Sequence, residues 1–214
     1  MQHVIEAQGF DRKTIEELFT LADSLDKKRN ESMKGKILAT LFYEPSTRTR
    51  LSFESAMFRL GGDVISVENA SDDSSAVKGE TVEDTIRMIG NYADIVVMRH
   101  FAEGAASKAA AVSVIPVING GDGAGQHPTQ ALLDLYTIRK ELGKIDGTRV
   151  VFVGDLAHSR TIRSLAYFLG KFDGITVTLV SPKELAMKDD MKEYFKNHNV
   201  PYSETEDLDA AMKD

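Results

Sequence analysis

Strand-like and helix-like segments alternate along this 214-residue chain, and that alternation is the feature that most constrains its fold. Short apolar runs such as residues 37–43 suit buried strands, and stretches with helical spacing of their apolar residues follow them. Such alternation predicts an α/β protein built on parallel sheets. The predicted strands cover residues 37–43, 63–67, 93–98, 114–118, 149–153 and 175–180. One predicted helix begins near Asp11, and a second ends at Gly61-Gly62. Four more cover 81–89, 128–142, 161–172 and 187–198, and a short alanine-rich helix precedes the fourth strand.

The pattern predicts two domains, with the long helix at 128–142 joining them. We assign residues 1–135 to a first α/β domain and residues 136–214 to a second. The second domain has only two clear strands, at 149–153 and 175–180, which are too few for a stable doubly wound sheet. We therefore expect the second domain to be incomplete at Asp214.

Composition excludes several classes of function. Cysteine is absent, which excludes disulfides, thiolate metal sites and cysteine nucleophiles. The formal net charge of −7 argues against nucleic-acid binding, which needs a basic face, but it leaves room for local basic clusters that bind small anions. The five histidines are scattered, so we predict no metal. The chain has neither a membrane-length apolar run nor a signal peptide, so we predict a cytoplasmic protein without a membrane partner.

The first candidate site is the tetrapeptide Ser46-Thr47-Arg48-Thr49, which follows a predicted strand and opens a predicted helix. Backbone N–H groups at a helix start attract anions, and hydroxyl and guanidinium groups add donors that match phosphate. The alternative is a plain helix cap followed by solvated arginines. The residues alone favour neither interpretation.

Two further candidates lie at the ends of later strands. His127 and Gln130 flank the first helical position at Pro128, after a glycine-rich loop that lets the backbone approach a ligand. A neutral imidazole there could donate to a carbonyl oxygen, although simple capping by His127 explains the residue at least as well. Arg99 closes a predicted strand at its carboxyl end, where parallel sheets bind ligands. A surface salt bridge is the alternative for Arg99.

The remaining loops are less specific. Lys78 lies in a polar loop and, by composition, is most often a solvated surface lysine. The segment 154–160 joins a strand to a helix but has a single glycine, and the run at 120–125 lacks the ending of a P-loop. We therefore predict neither dinucleotide nor ATP binding, and no cofactor.

Taken together, these segments resemble the aspartate/ornithine carbamoyltransferase family. Ser46-Thr47-Arg48-Thr49 is similar to its carbamoyl-phosphate signature, and His127-Pro128-Thr129-Gln130 is similar to its second motif, in the family's order and at about its spacing. The loop Lys78-Gly79-Glu80-Thr81 resembles the aspartate branch, in which a lysine reaches the neighbouring subunit's site. The resemblance covers essentially the whole chain.

The resemblance implies a role for each matching position. Arg48, Thr49 and His127 would polarise the carbonyl oxygen, Gln130 would bind the carbamoyl nitrogen, and Arg160 would take the α-carboxylate of aspartate. Ser74 and Lys78 would arrive from an adjacent protomer. The phosphate would be held by Ser46, Thr47, Arg48, Thr49 and Arg99.

The implied reaction transfers the carbamoyl group of carbamoyl phosphate to L-aspartate, giving N-carbamoyl-L-aspartate and phosphate for pyrimidine biosynthesis. The resemblance also implies a homotrimer with shared sites and is compatible with a regulatory chain. Family members continue beyond Asp214, so we expect a fragment whose own activity depends on the missing part. The alternatives are transfer to ornithine or another amine, and a non-catalytic assembly partner.

Overall fold

The computed structural model describes residues 3–25, 30–68 and 79–213. Its helices and strands alternate, which confirms the predicted α/β class. The helices are α1 (Arg12–Ser24), α2 (Thr47–Arg59), α3 (Val82–Ile89), α4 (Ala105–Val112), α5 (Pro128–Leu142), α6 (Arg160–Leu169), α7 (Asp189–Asn197) and α8 (Leu208–Ala211). The strands are β1 (Ile37–Phe42), β2 (Asp63–Glu68), β3 (Ile95–His100), β4 (Val117–Asp122), β5 (Arg149–Val153), β6 (Thr176–Val180) and β7 (Tyr202–Thr205). Among the described residues, no helix combines the length and apolar character needed to cross a membrane.

The chain divides into two compact units. The first comprises Met1–Glu6 and Leu18–His127, and the second comprises Ala7–Glu17 and Pro128–Asp214. Each unit contains one of two parallel sheets, with strand orders β2-β1-β3-β4 and β5-β6-β7.

The first sheet is buried on both faces, which explains why β1 is apolar at every position except Thr40. Leu38 and Phe42 pack with Met57 of α2 on one face. Ala39 and Leu41 pack with a second cluster on the other face, against α3 and α4. Alternate residues of one strand thus enter two cores, as the two-residue period of a strand requires.

The order of the first sheet creates a topological switch point between β1 and β3. From β1 the chain moves to β2 on one side, and it then returns to place β3 on the other side. Phe42, the last residue of β1, is the register partner of Arg99. Ligands of open α/β sheets bind in the crevice outside the carboxyl ends of the strands at such a point. The fold therefore directs attention to the segments after Phe42 and around Arg99.

Strand β4 lies later in the chain than predicted. The sequence favoured residues 114–118, whereas the strand is Val117–Asp122 and includes Gly120 and Gly121. Glycine has a low intrinsic preference for strands, but pairing with neighbouring strands places Gly120 and Gly121 in β4. Val4 bridges Ile118 in parallel, and β4 pairs with β3 through an irregular register near its end.

The second sheet has three strands, so the expectation of only two clear strands in this region was wrong. Strand β7 reads Tyr-Ser-Glu-Thr, and this polar edge strand has no apolar run to signal it. Within this unit, Arg12 of α1 donates to the Asp146 carboxylate at 2.6 Å, and the rings of Phe10 and Phe168 meet edge-on at 5.5 Å. These contacts join the start of α1 and the residues before it to α6 and to the loop before β5.

Candidate active site

Helix α2 begins directly at the carboxyl end of β1. Ser46 is its N-cap, with extended φ −159 and ψ 91, and the Arg50 N–H donates to the Ser46 carbonyl at 3.2 Å. Within the described part of the chain, the Ser46 hydroxyl makes no cap bond to the helix. The first-turn N–H groups of residues 47–49 have no intrahelical acceptor, which is the geometry that binds anions at helix starts.

A partly buried polar contact fixes this helix on the sheet. Glu54 of α2 accepts from the Thr40 hydroxyl at 2.9 Å and from the Ser66 hydroxyl at 2.8 Å. Because Thr40 lies in β1 and Ser66 in β2, α2 is tied to both strands. The start of α2 is therefore held rigidly relative to the sheet edge.

Arg99 reaches the same helix start from β3. Its Nη1 donates to the Ser46 Oγ at 3.0 Å, and its Nε donates to Glu44 Oε2 at 3.1 Å. The side chains of Arg99 and Glu44 are 16% and 29% exposed, so this ion pair is partly shielded from water. The structure thus brings together Arg99 and Ser46, two residues that α2, β2 and α3 separate in the sequence.

The other members of the first motif lie on the first turn of α2. Thr47 and Arg48 are exposed, and Thr49 is half-buried. Within residues 3–25, 30–68 and 79–213, no carboxylate forms an ion pair with Arg48. A guanidinium of this kind at a helix start adds a full positive charge to the partial charge of the helix dipole.

The loop from β4 to α5 runs along the same edge of the first sheet. A Cβ built on Gly120 would lie 3.5 Å from Thr49 Cγ2, so the end of β4 passes beside the first turn of α2. The loop turns at Gly123, whose φ of +50 favours glycine and whose added Cβ would lie 2.8 Å from the Phe101 carbonyl oxygen. It ends at His127, which is buried.

His100, next to Arg99, is a buried histidine to which the sequence assigned no role. Its Nδ1 accepts from the Ala102 N–H at 2.9 Å, and its ring packs against Tyr43 and Phe101 at centroid distances of 4.7 and 4.2 Å. Burial lowers the pKa of this imidazole, and the negative charges of Glu44 and Asp122 only partly oppose that effect. The neutral form shapes the turn that follows β3.

Two predicted site residues lie in the second unit. Gln130, on the first turn of α5, donates from Nε2 to Asp134 Oδ1 at 2.8 Å. Burial raises the pKa of the Asp134 carboxyl, and the bond from Gln130 offsets part of that rise. Arg160 is the first residue of α6, after Ser159, whose hydroxyl accepts from the Ile162 N–H as the N-cap.

Ser74 and Lys78 lie outside the described residues. Three acidic residues that the sequence left without a role emerge beside the predicted ones: Glu44 beside Arg99, Asp134 beside Gln130, and Asp122 before His127. Their sequence signal is weak, because each is simply a carboxylate within a few residues of a motif. Among the described residues, no group of three or more histidines and acidic side chains could hold a metal ion.

Comparison with known proteins identifies the family. A model described as "Aspartate/ornithine carbamoyltransferase, carbamoyl-P binding domain" matches residues 2–140. The chain belongs to this family. The carbamoyltransferase resemblance of the two motifs is thereby confirmed.

Individual carbamoyltransferases cover nearly the whole chain. It is 58% identical to aspartate carbamoyltransferase 1, chloroplastic, of Pisum sativum, over 97% of this chain and 55% of that protein. The catalytic subunit of M. jannaschii aspartate transcarbamoylase has a TM-score of 0.89 and 49% identity, over 98% of this chain and 70% of that one. The Trypanosoma cruzi enzyme in complex with carbamoyl phosphate and aspartate has a TM-score of 0.90 and 39% identity, over 97% of this chain and 67% of that one. The chain spans about half the length of the plant relatives that it matches.

Proposed function

We propose that this chain is part of an aspartate carbamoyltransferase, which transfers the carbamoyl group of carbamoyl phosphate to L-aspartate. The observation that carries the proposal is the contact between Arg99 and Ser46 at the start of α2, at the switch point of the first sheet. The T. cruzi relative is described in complex with both substrates, which supports the same substrates for this chain.

The start of α2 would hold the phosphate. Helical N–H groups, the hydroxyls of Ser46, Thr47 and Thr49, and the guanidinium of Arg48 offer donors with phosphate-like spacing. The carboxylate of Glu44 holds the Arg99 guanidinium in place, so the guanidinium needs little reorganisation when the phosphate binds.

The reacting carbonyl would be polarised by Arg48, Thr49 and His127. The carbonyl oxygen gains negative charge when the aspartate amine attacks, so fixed donors stabilise the transition state more than the ground state. The new C–N bond forms, a proton leaves the amine, and the C–O bond to phosphate breaks. Proximity of two bound substrates supplies much of the acceleration without a covalent nucleophile.

Gln130 would bind the carbamoyl nitrogen. Because its Nε2 donates to Asp134, its Oε1 is the atom left to accept from a ligand N–H, which suits an –NH₂ group. Arg160 would bind the α-carboxylate of aspartate, and the names of the relatives favour aspartate over ornithine as the acceptor.

The proposed assembly is a homotrimer in which Ser74 and Lys78 complete the neighbouring protomer's site. An exposed apolar face of α2 favours association: Leu51 and Phe58 are 50% and 51% exposed and lie two turns apart. They line a shallow groove of about 480 Å³ together with Glu54, Ser55 and Arg59. A regulatory chain, a role in pyrimidine biosynthesis and a cytoplasmic location remain predictions from the sequence, and the plant relatives carry the word chloroplastic in their names.

A carbamoylation assay tests the proposal. The full-length protein that contains this chain is mixed with ¹³C-labelled carbamoyl phosphate and either aspartate or ornithine, and ¹³C NMR measures the carbamoylated amino acid. We expect N-carbamoyl-aspartate, and a rate at least about a hundredfold lower in Arg48→Ala, as for loss of one transition-state donor. Lys108→Ala is the matched control, since it removes an exposed cation from α4 in the same unit.

Three results would contradict the proposal. Carbamoylation of ornithine in preference to aspartate would assign the chain to the ornithine branch of the family. A rate in Arg48→Ala equal to that of Lys108→Ala would remove Arg48 from the reaction. Absence of any carbamoylated product would favour a non-catalytic assembly partner.

A further inference from the structure

Asp122 is a buried carboxylate at the end of β4, only 5% exposed. Its Oδ1 accepts from the Gln126 N–H at 3.0 Å and from Asn119 Nδ2 at 3.1 Å, and its Oδ2 accepts from the Gly104 N–H at 2.9 Å. A buried carboxylate is costly unless it is hydrogen-bonded, and the three donors that converge on Asp122 offset this cost.

The backbone of Asp122 closes the same loop. Its N–H donates to the Gln126 carbonyl at 3.3 Å, and its carbonyl accepts from the Gly125 N–H at 2.8 Å. Together with the side-chain bond, Asp122 therefore binds both the backbone N–H and the backbone carbonyl of Gln126, the residue that precedes His127. Pro128 follows at the first helical position with a restricted φ, so His127 is fixed from both sides along the chain.

Asn119 orients the Asp122 carboxylate. This residue is 1% exposed, its Oδ1 accepts from the Gly121 N–H at 2.8 Å, and its Nδ2 donates both to Asp122 and to the Ile5 carbonyl at 2.9 Å. The amide is thereby locked in one orientation, with its donor side toward the carboxylate. A local network thus connects the first residues of the chain, the turn after β3 and the loop before His127.

We propose that Asp122, oriented by Asn119, is a positioning residue that holds His127 in place to polarise the substrate carbonyl. This inference rests on the proposed function, which gives His127 that role. Only a carboxylate meets the requirement at position 122, because both of its oxygens accept from N–H groups. An asparagine would turn an –NH₂ donor toward either the Gly104 or the Gln126 N–H and lose at least one bond.

Asp122→Asn tests the proposal through its coupling to His127. We expect kcat to fall roughly tenfold to a hundredfold, as displacement of a reacting group by about 1 Å does, with KM for carbamoyl phosphate changed less than about threefold. In the His127→Ala background, the same substitution should lower kcat no further. Asn119→Ser, which removes the bond to the Asp122 carboxylate together with those to Ile5 and Gly121, should lower kcat with the same pattern.

Asp94→Asn is the matched control. Asp94 also accepts from a backbone N–H, that of Ile37 at 2.9 Å, but it does so at the amino end of β1 in the same unit. Both variants lose a carboxylate bond to backbone, but Asp94 is more exposed and also pairs with Lys36 at 2.7 Å, so their losses of stability differ and activity is compared per folded molecule. The kcat measured at matched folded fractions should fall only in Asp122→Asn.

A readout independent of activity separates this inference from the proposed function. The ¹³Cε1–¹Hε1 NMR signal of His127, assigned by its loss in His127→Ala, should shift or broaden in Asp122→Asn and stay unchanged in Asp94→Asn. An unchanged His127 signal, or an equal fall in kcat with and without His127, would overturn the positioning role. If the full-length wild-type protein forms no carbamoylated product, the proposed function fails, while the His127 signal still decides whether Asp122 positions that ring.

Discussion

Replacing Gly170 with alanine should destabilise the second unit, because Tyr194 occupies the space that a methyl group needs. A Cβ on Gly170 would lie 2.7 Å from Tyr194 Cε1 and 2.8 Å from its Oη. The ring is held in place, since its hydroxyl donates to the Tyr167 carbonyl at 2.8 Å and the two tyrosine rings meet edge-on at 4.7 Å. Burial also raises the pKa of the Tyr194 hydroxyl to about 12, so it remains a neutral donor at ordinary pH.

Two effects of opposite sign set the magnitude. Gly170 has φ −64 and ψ −4, which alanine adopts without strain, so alanine gains about 0.4–1 kcal/mol by restricting the unfolded chain. Overpacking costs roughly 1–3 kcal/mol, and displacing the Tyr194 hydroxyl from its acceptor costs about 1 kcal/mol more. The clash outweighs the gain. We expect a net loss of about 2 kcal/mol, or roughly 4–8 °C in Tm for a chain of this size.

Gly90→Ala is the matched control for this prediction. Gly90 also follows a helix in the right-handed region, with φ −57 and ψ −16, but its added Cβ would meet Val114 Cγ2 at 3.0 Å. The Val114 side chain is 78% exposed and can rotate away, so this variant should be neutral or slightly stabilised. Urea and thermal unfolding followed by tyrosine near-UV circular dichroism compare the two. A Gly170→Ala protein as stable as the wild type would refute the reasoning, as would equal losses in both variants.

Three further outcomes are expected. Arg99→Lys keeps the charge but replaces a guanidinium that makes two contacts, so carbamoyl phosphate should bind about tenfold more weakly in calorimetry, a difference of about 1.4 kcal/mol. Unchanged affinity would exclude a role for the guanidinium geometry. Burial lowers the pKa of His100, so below about pH 6.5 the unfolded chain takes up a proton that the folded chain resists. The free energy of unfolding should therefore fall more steeply from pH 7.5 to 5.5 in the wild type than in His100→Gln, and parallel urea curves would contradict this. Arg12→Ala removes partly exposed ion pairs with Asp146, Glu16 and Asp173 and should cost only about 1 kcal/mol, less in 0.5 M salt. A larger, salt-independent loss would show that packing dominates.

Local sequence signals predicted the elements whose propensity and burial agree. The apolar run at 37–43 became β1, and the helix expected at 128–142 became α5 with the same bounds. The two family motifs lie where parallel sheets place ligands, directly after β1 and before α5. In these segments each local preference supports the tertiary fold, which makes them readable from sequence.

Features that depend on long-range pairing could not be predicted. Strand β4 contains Gly120 and Gly121, and its strand conformation comes from neighbours such as Val4 that lie far away in sequence. The bond between Arg99 and Ser46 joins residues 53 positions apart, and nothing in either motif specifies it. Charge and motif identified the residues, whereas only the sheet order shows that they meet.

A calorimetric titration with carbamoyl phosphate tests the central claim most directly. The claim is that the start of α2, beside Arg99, binds this substrate through Arg48. The account predicts saturable binding with one site per chain in the wild type, and affinity at least about tenfold weaker in Arg48→Ala, as for loss of one charge-assisted hydrogen bond. Equal saturable binding in both proteins would place the substrate elsewhere and contradict the account.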